Sequence, residues 1–209
     1  MSVAIRPAGV EDVEAMRDLI ARYAREDRML ERSRDFLLEH LRDFVVAEDN
    51  ITLAREASVS WGVVRAGVGA PGRDSDPPAR FIGCCALAVL TGELAEIRSL
   101  AVHPEASGRG IGGALVRACV AEARRLGVRR VFALTLVPEF FEKCGFVLTS
   151  LGRLPEKSAA ECPVCPKRFA CDEHAMLLHL DGTAPRPLVP GEPVGYTRLF
   201  LGREPEGSR

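Results

Sequence analysis

The stretch from Leu94 to Gly113 concentrates the residues best suited to chemistry. An apolar segment carries Glu96 and Arg98, His103-Pro104 follows, and then comes Ser107-Gly108-Arg109-Gly110-Ile111-Gly112-Gly113. Closely spaced glycines ahead of a helix let backbone N–H groups converge on an anion, and the helix dipole adds to the attraction. The expected ligand at this turn is pyrophosphate-sized; the competing reading is a helix entry that needs glycine only for packing. Gly108-x-Gly110-x-x-Gly113 also matches the dinucleotide fingerprint literally. Against that reading, His103–Ser107 separate the glycines from the strand, and no acidic residue between Glu122 and Glu139 is available to hold a ribose. No Gly-Lys-Ser/Thr follows, which excludes a Walker loop.

A second constellation is Cys162-x-x-Cys165-x5-Cys171-x-x-His174, which has the composition of a zinc site with closely paired thiolates and a fourth ligand. Its spacing departs from the finger patterns. Three readings stand side by side: a structural zinc, a redox or disulfide pair, and thiols that only pack. Cys84, Cys85, Cys119 and Cys144 lie in apolar segments and read as small buried hydrophobes.

The elements that must position these residues follow from periodicity and turn chemistry. Val3–Arg6 is a short strand, and Val10 to Ala24 is an amphipathic helix with Val13, Met16, Leu19, Ile20 and Tyr23 on one face. Ser33 caps a second helix carrying Phe36, Leu37 and Leu41. Phe44–Glu48 is strand-like, and residues 49–79 read as a loop insertion rich in Gly and Pro. Phe81–Leu90 and Leu94–Val102 flank Thr91-Gly92-Glu93 and form a hairpin. Two-residue alternation puts Glu96, Arg98, Leu100 and Val102 on one strand face. A helix opens at Gly108–Gly113 and ends at Gly127; Val131–Leu136 is a buried strand. Pro138 starts a short helix ending before Gly145, and Ala175–Leu180 is the last strand. The expectation is one α/β domain over 1–180, followed by an extended or disordered Pro/Gly-rich tail at 181–209.

With 47% hydrophobic and 27% charged residues in 209, the chain is neither disordered nor membrane-embedded. A net charge of −1 argues against nucleic acid as a partner, although 25 Arg against 3 Lys leave room for a local anion site. The longest apolar run, Ile82 to Leu90, is about half of the ~18 residues a membrane span needs. Met1 to Pro7 lacks the apolar core of a secretion signal, so the expected location is the cytoplasm, with reduced thiols. A homodimer is compatible with the sequence, which does not dictate an oligomeric state.

Ala95-Glu96-Ile97-Arg98-Ser99-Leu100-Ala101-Val102-His103-Pro104, the Ser107–Gly113 loop and Glu139-Phe140-Phe141-Glu142-Lys143-Cys144-Gly145-Phe146 resemble the GNAT superfamily of acetyltransferases. The resemblance spans roughly residues 3–180. It implies a mixed central sheet with helices on both faces. Acetyl-CoA would lie in a cleft between the strand ending at Val102 and the strand ending near Leu136. The backbone of Leu100, Ala101 and Val102 would pair with the pantetheine arm, and the amides of Gly108, Arg109, Gly110, Ile111, Gly112 and Gly113 would hold the pyrophosphate. Ser107 stands where the family usually has Arg or Gln, with Arg109 as a substitute contact; Phe141 and Lys143 complete the cofactor-side residues.

Transfer to an amine needs a base, because an ammonium has no lone pair. Some members of the superfamily place a glutamate base at the offset of Glu96, where burial would raise its pKa; the competing reading is a strand glutamate paired with Arg98. Many members have a tyrosine where Phe141 stands. Leu154-Pro155-x-Lys157, the Cys162–Cys171 segment, Asp172-Glu173-x-Ala175-Met176 and Leu134-Thr135 look like the short, kinase-free N-acetylglutamate synthase-type enzymes of bacteria. That implies glutamate as acceptor, in service of arginine biosynthesis, with Arg98, Thr135 and Lys157 as substrate-binding residues; an ordinary surface lysine is the alternative for Lys157. The rivals are transfer to another amine or a protein N-terminus, and a non-catalytic acetyl-CoA, redox or metal sensor.

Overall fold

The structure, a computed structural model, describes residues 2–50 and 80–192. Seven strands form one sheet: β1 (Ser2–Pro7), β2 (Phe44–Asn50), β3 (Arg80–Val89), β4 (Leu94–Val102), β5 (Arg130–Thr135), β6 (Val147–Thr149) and β7 (His174–His179). Their order is β1-β2-β3-β4-β5-β7-β6. Only β4 and β5 pair in parallel; the other neighbours are antiparallel. β2 continues to Asn50, so Asp49 and Asn50 belong to a strand and not to the loop expected from 49. The remainder of that loop lies outside the described residues.

The helices are α1 (Val13–Arg25), α2 (Arg34–Glu39), α3 (Ile111–Arg125), α4 (Pro138–Lys143) and α5 (Pro155–Ser158). They cover both faces of the sheet, as expected. On one face Leu115, Val116, Cys119 and Ala123 of α3 pack against Ile82, Cys85, Ile97, Val131 and Met176. On the other, Met16, Ile20 and Leu37 of α1 and α2 meet Phe44, Val46, Cys84 and Ala101. Beside them Leu151, Leu154 and Cys162 cover Leu94, Phe132 and Leu177. Cys84, Cys85 and Cys119 are buried as expected of small hydrophobes, while Cys144 is half-buried. Ser33 caps α2 by accepting from the Phe36 N–H at 3.1 Å.

Two features of β4 shape the site. Its pairing with β5 stops at Ile97–Ala133, and beyond that point the strands diverge. A bulge also interrupts its pairing with β3: Cys84 faces Ala101 and Ala86 faces Arg98, so Cys85 opposes both Ser99 and Leu100. Ser99 takes a left-handed conformation at φ 53°. This corrects the expectation of one shared face. The extra residue flips the alternation, so Leu100 and Val102 pack with the α3 side while Ala101 joins the α1 side. Past β7, the Arg153 guanidinium donates to the carbonyls of Arg186 (2.7 Å) and Pro187 (2.9 Å) and pairs with Glu192. The first part of the expected tail is thereby fastened to the body, and 193–209 lie outside the described residues.

Candidate active site

Where β4 and β5 part, a cavity of about 540 Å³ opens. Its walls include residues 97–102 and 134–137; α4 contributes Phe140 and Phe141, and the α1–α2 connection contributes Met29, Leu30 and Arg32. α1 settles against the sheet through Met16 and Ile20, which brings Tyr23 one turn later to the rim. Its hydroxyl donates to the Val102 carbonyl at 2.6 Å.

Glu96 is 4% exposed, between Ala95 and Ile97, whose side chains point into the α3 core. Burial pushes its carboxyl above the usual range, against the pull of Lys157 and Arg98. The Lys157 ammonium donates to Glu96 Oε2 at 2.8 Å and to Glu161 Oε2 at 2.7 Å. One turn of helix from Pro155 sets this geometry, placing Lys157 and Glu161 four residues apart on one side. Lys157 is 8% exposed, which overturns the surface-lysine alternative. Burial alone would lower its pKa, but the two carboxylates hold it above the ordinary value. Arg98 completes the cluster, 3.7 Å from Glu96 Oε2 and 3.5 Å from Glu161. Both cations meet Glu96 through Oε2, so Oε1 is the oxygen available for a proton.

The cavity also holds charges outside that cluster. Arg32 lies over the Phe36 ring at 4.6 Å, and its buried Nε has no hydrogen-bond partner. Burial and the charge of Arg98 both lower its pKa. Arg28, Arg168 and Glu173 line the same space.

At the other end of the cleft, Gly108 and Gly110 adopt φ 77° and 76° with open space where a Cβ would stand. Gly110 is the N-cap of α3, leaving the N–H groups of Ile111, Gly112 and Gly113 without partners inside the helix. Arg109 forks onto Asp49 of β2 at 2.8 and 3.2 Å, tying the loop to the sheet.

Of the expected site residues, the cavity brings together Glu96, Arg98, Leu100, Ala101, Val102, Ser107, Gly112, Thr135, Phe141 and Lys157. Gly108, Arg109, Gly110, Ile111 and Gly113 sit beyond its lining, and Lys143 is exposed on the last turn of α4. Phe141 is buried edge-on against Phe140 and Phe146. Sequence reasoning missed Tyr23, Arg32 and Glu161 as site residues, and gave Glu173 no role. Only Glu161 left a readable signal, its four-residue spacing from Lys157.

Among the described residues, no group of three or more His, Cys, Asp or Glu side chains is placed to hold a metal ion. The structural-zinc reading of Cys162, Cys165, Cys171 and His174 thus finds no support among the described residues. Cys162 is buried in the cluster around Leu154 and Phe132, and burial pushes its thiol up to about 12. Nor is any helix among the described residues long and apolar enough to cross a membrane.

The profile of the acetyltransferase (GNAT) domain matches residues 73–148. An uncharacterized N-acetyltransferase of Chlorobaculum tepidum is 38% identical over 173 residues, covering 83% of this chain and 94% of that protein. The chain belongs to the GNAT acetyltransferases. An amino-acid acetyltransferase of Mycobacterium tuberculosis is 34% identical over 142 residues, 68% of this chain and 67% of that one. The N-acetylglutamate synthase of Neisseria gonorrhoeae, solved with coenzyme A and N-acetyl-glutamate, superposes with a TM-score of 0.65 at 26% identity. That match covers 86% of this chain and 35% of the synthase, so the chain spans about a third of that structure. The GNAT chain is an acetyl-CoA-dependent N-acetyltransferase, and its mixed sheet and helices follow the family fold.

Proposed function

We propose that this acetyltransferase carries the acetyl group of acetyl-CoA to the amine of L-glutamate, in the cytoplasm and in service of arginine biosynthesis. The observation that carries the acceptor class is Arg32: a desolvated guanidinium with an unpartnered Nε, facing Arg98 across a cavity that Arg28 and Arg168 also line. Such a surplus of positive charge suits a molecule with two carboxylates. An unpartnered buried donor is satisfied when an anion arrives.

The pantetheine arm would run along the diverging edge of β4 at Leu100, Ala101 and Val102, where the β5 side offers no partner. The pyrophosphate would meet the amides of Gly108 to Gly113. Glu96 then takes a proton from the acceptor ammonium through Oε1. The freed lone pair forms the N–C bond at the thioester carbonyl; as the C–S bond breaks, coenzyme A leaves as thiolate and the new amide nitrogen gives up its remaining extra proton to solvent. Phe141 has no hydroxyl, so the thiolate takes its proton from solvent. No covalent enzyme intermediate forms.

Thiol release from acetyl-CoA across a panel of amino acids tests this reading. Glutamate-dependent release is expected. Release with a different amine alone replaces the acceptor, and no release with any amine removes the reading.

A further inference from the structure

Four of the cavity's charged groups answer one another: Glu96, Arg98, Lys157 and Glu161 are joined by contacts of 2.7 to 3.7 Å. Glu173 is outside that network. It lines the cavity just before β7, whose first residue, His174, pairs with Thr135 at the end of β5. Its Oε2 accepts a long hydrogen bond from the Cys171 thiol at 3.9 Å. Among the described residues, no Lys or Arg stands within ion-pair distance of it. Burial raises its pKa and the charge of Glu96 raises it further; Asp172 adds to this, while Lys157 and Lys167 oppose it from a distance.

A largely desolvated carboxylate with a second carboxylate nearby and no cation beside it destabilises the fold. A glutamine of the same shape would sit there more comfortably. The arrangement makes sense when a cation arrives with the substrate. Once the four-membered network is set aside, the cavity presents Arg32, whose Nε has no hydrogen-bond partner, and Glu173, a carboxylate with no ion-pair partner among the described residues. Those two signs match the carboxylate and the ammonium of an amino acid.

We infer that Glu173 docks the ammonium of the acceptor amino acid, holding it for Glu96 to deprotonate. The inference rests on the amino-acid acceptor proposed above. It adds a division of labour between two carboxylates: one anchors the nitrogen, the other receives its proton. Glu173 transfers no group and forms no bond to carbon.

The test titrates CoA-loaded protein with L-glutamate and with glutarate, which keeps both carboxylates and lacks the amine. In the wild type, glutamate binds more tightly than glutarate. In Glu173→Gln, glutamate is expected to weaken about tenfold to a hundredfold, glutarate to hold its affinity, and CoA to bind as before. Glu173→Asp, which keeps the charge, recovers part of the loss. An unchanged glutamate-to-glutarate ratio in Glu173→Gln overturns the inference and leaves the glutamate reading intact. If the wild type binds neither ligand, the glutamate reading fails, and the comparison passes to whichever amino acid releases thiol, set against its amine-free acid. A selective loss there sustains Glu173, and an equal loss removes it. If no amino acid releases thiol, both fall. The melting temperature of Glu173→Gln, expected at or above that of the wild type, separates this role from a structural one.

Discussion

At the scale of single residues, the site is governed by how Lys157 holds Glu96. The proposed base Glu96 works only when ionised, and burial pushes its carboxyl up while Lys157 restrains it. Lys157→Met removes the restraint, so the acid limb of the kcat/KM profile is expected to move to higher pH, with activity near neutrality falling. A limb that stays in place would show that Glu96 is not the titrating base. The same substitution leaves a buried carboxylate short of its partner and should cost about 3 kcal/mol of stability, readable by denaturant melts. Glu96→Gln is expected to lower kcat by about 10² to 10⁴ with acetyl-CoA binding nearly unchanged in calorimetry. Glu173 adds a stability signature of its own. Its raised pKa means that the folded state binds its proton more tightly than the unfolded chain, so its contribution is present in acid and lost as pH rises through the folded value. The melting temperature of Glu173→Gln should accordingly gain on the wild type at pH 8 and lose that gain at pH 4. Glu96 was legible from its place before the glycine loop. Its partner was not, because 61 residues separate it from Lys157 and only the folded chain brings them together. Arg32 and Glu173 were hidden for a related reason: they sit in connections, where no periodic pattern marks a residue as facing a cavity.

At the scale of elements, legibility tracks how local the controlling chemistry is. The Ser33 cap, the glycine entry to α3 and the Pro138 start of α4 are set within three or four residues, and each was readable. The bulge in β4 was not. Ser99 carries no sequence mark of a left-handed residue, so simple alternation assigned Leu100 and Val102 to the wrong face. The open surroundings of Gly110 isolate backbone strain from steric clash. Gly110→Ala should therefore destabilise by about 1–2 kcal/mol through φ alone, measured by thermal melting, and should weaken acetyl-CoA binding. A variant that melts and binds like the wild type would free that turn from any conformational demand.

At the scale of the molecule, the order of elements and the two-faced sheet were readable because each strand and helix carries its own periodicity. The line along which the sheet opens was not, since it depends on where one parallel ladder ends. That line has a mechanical consequence. The two parts of the sheet, β1 to β4 and β5 to β7, share a ladder of only four residue pairs, Leu94–Arg130 to Ile97–Ala133, with α3 packed on strands of both parts as a strap. Beyond Ile97–Ala133 no ladder joins β4 to β5. A ligand lying along that opening would join the two parts, so amides of 100–102 and 134–136 should exchange slowly in bound protein and fast in empty protein. Saturation at a hundred times the dissociation constant would add about 2.7 kcal/mol to global stability. On this account the cosubstrate is also a structural member, bridging two parts of the sheet beyond the point where their own ladder ends.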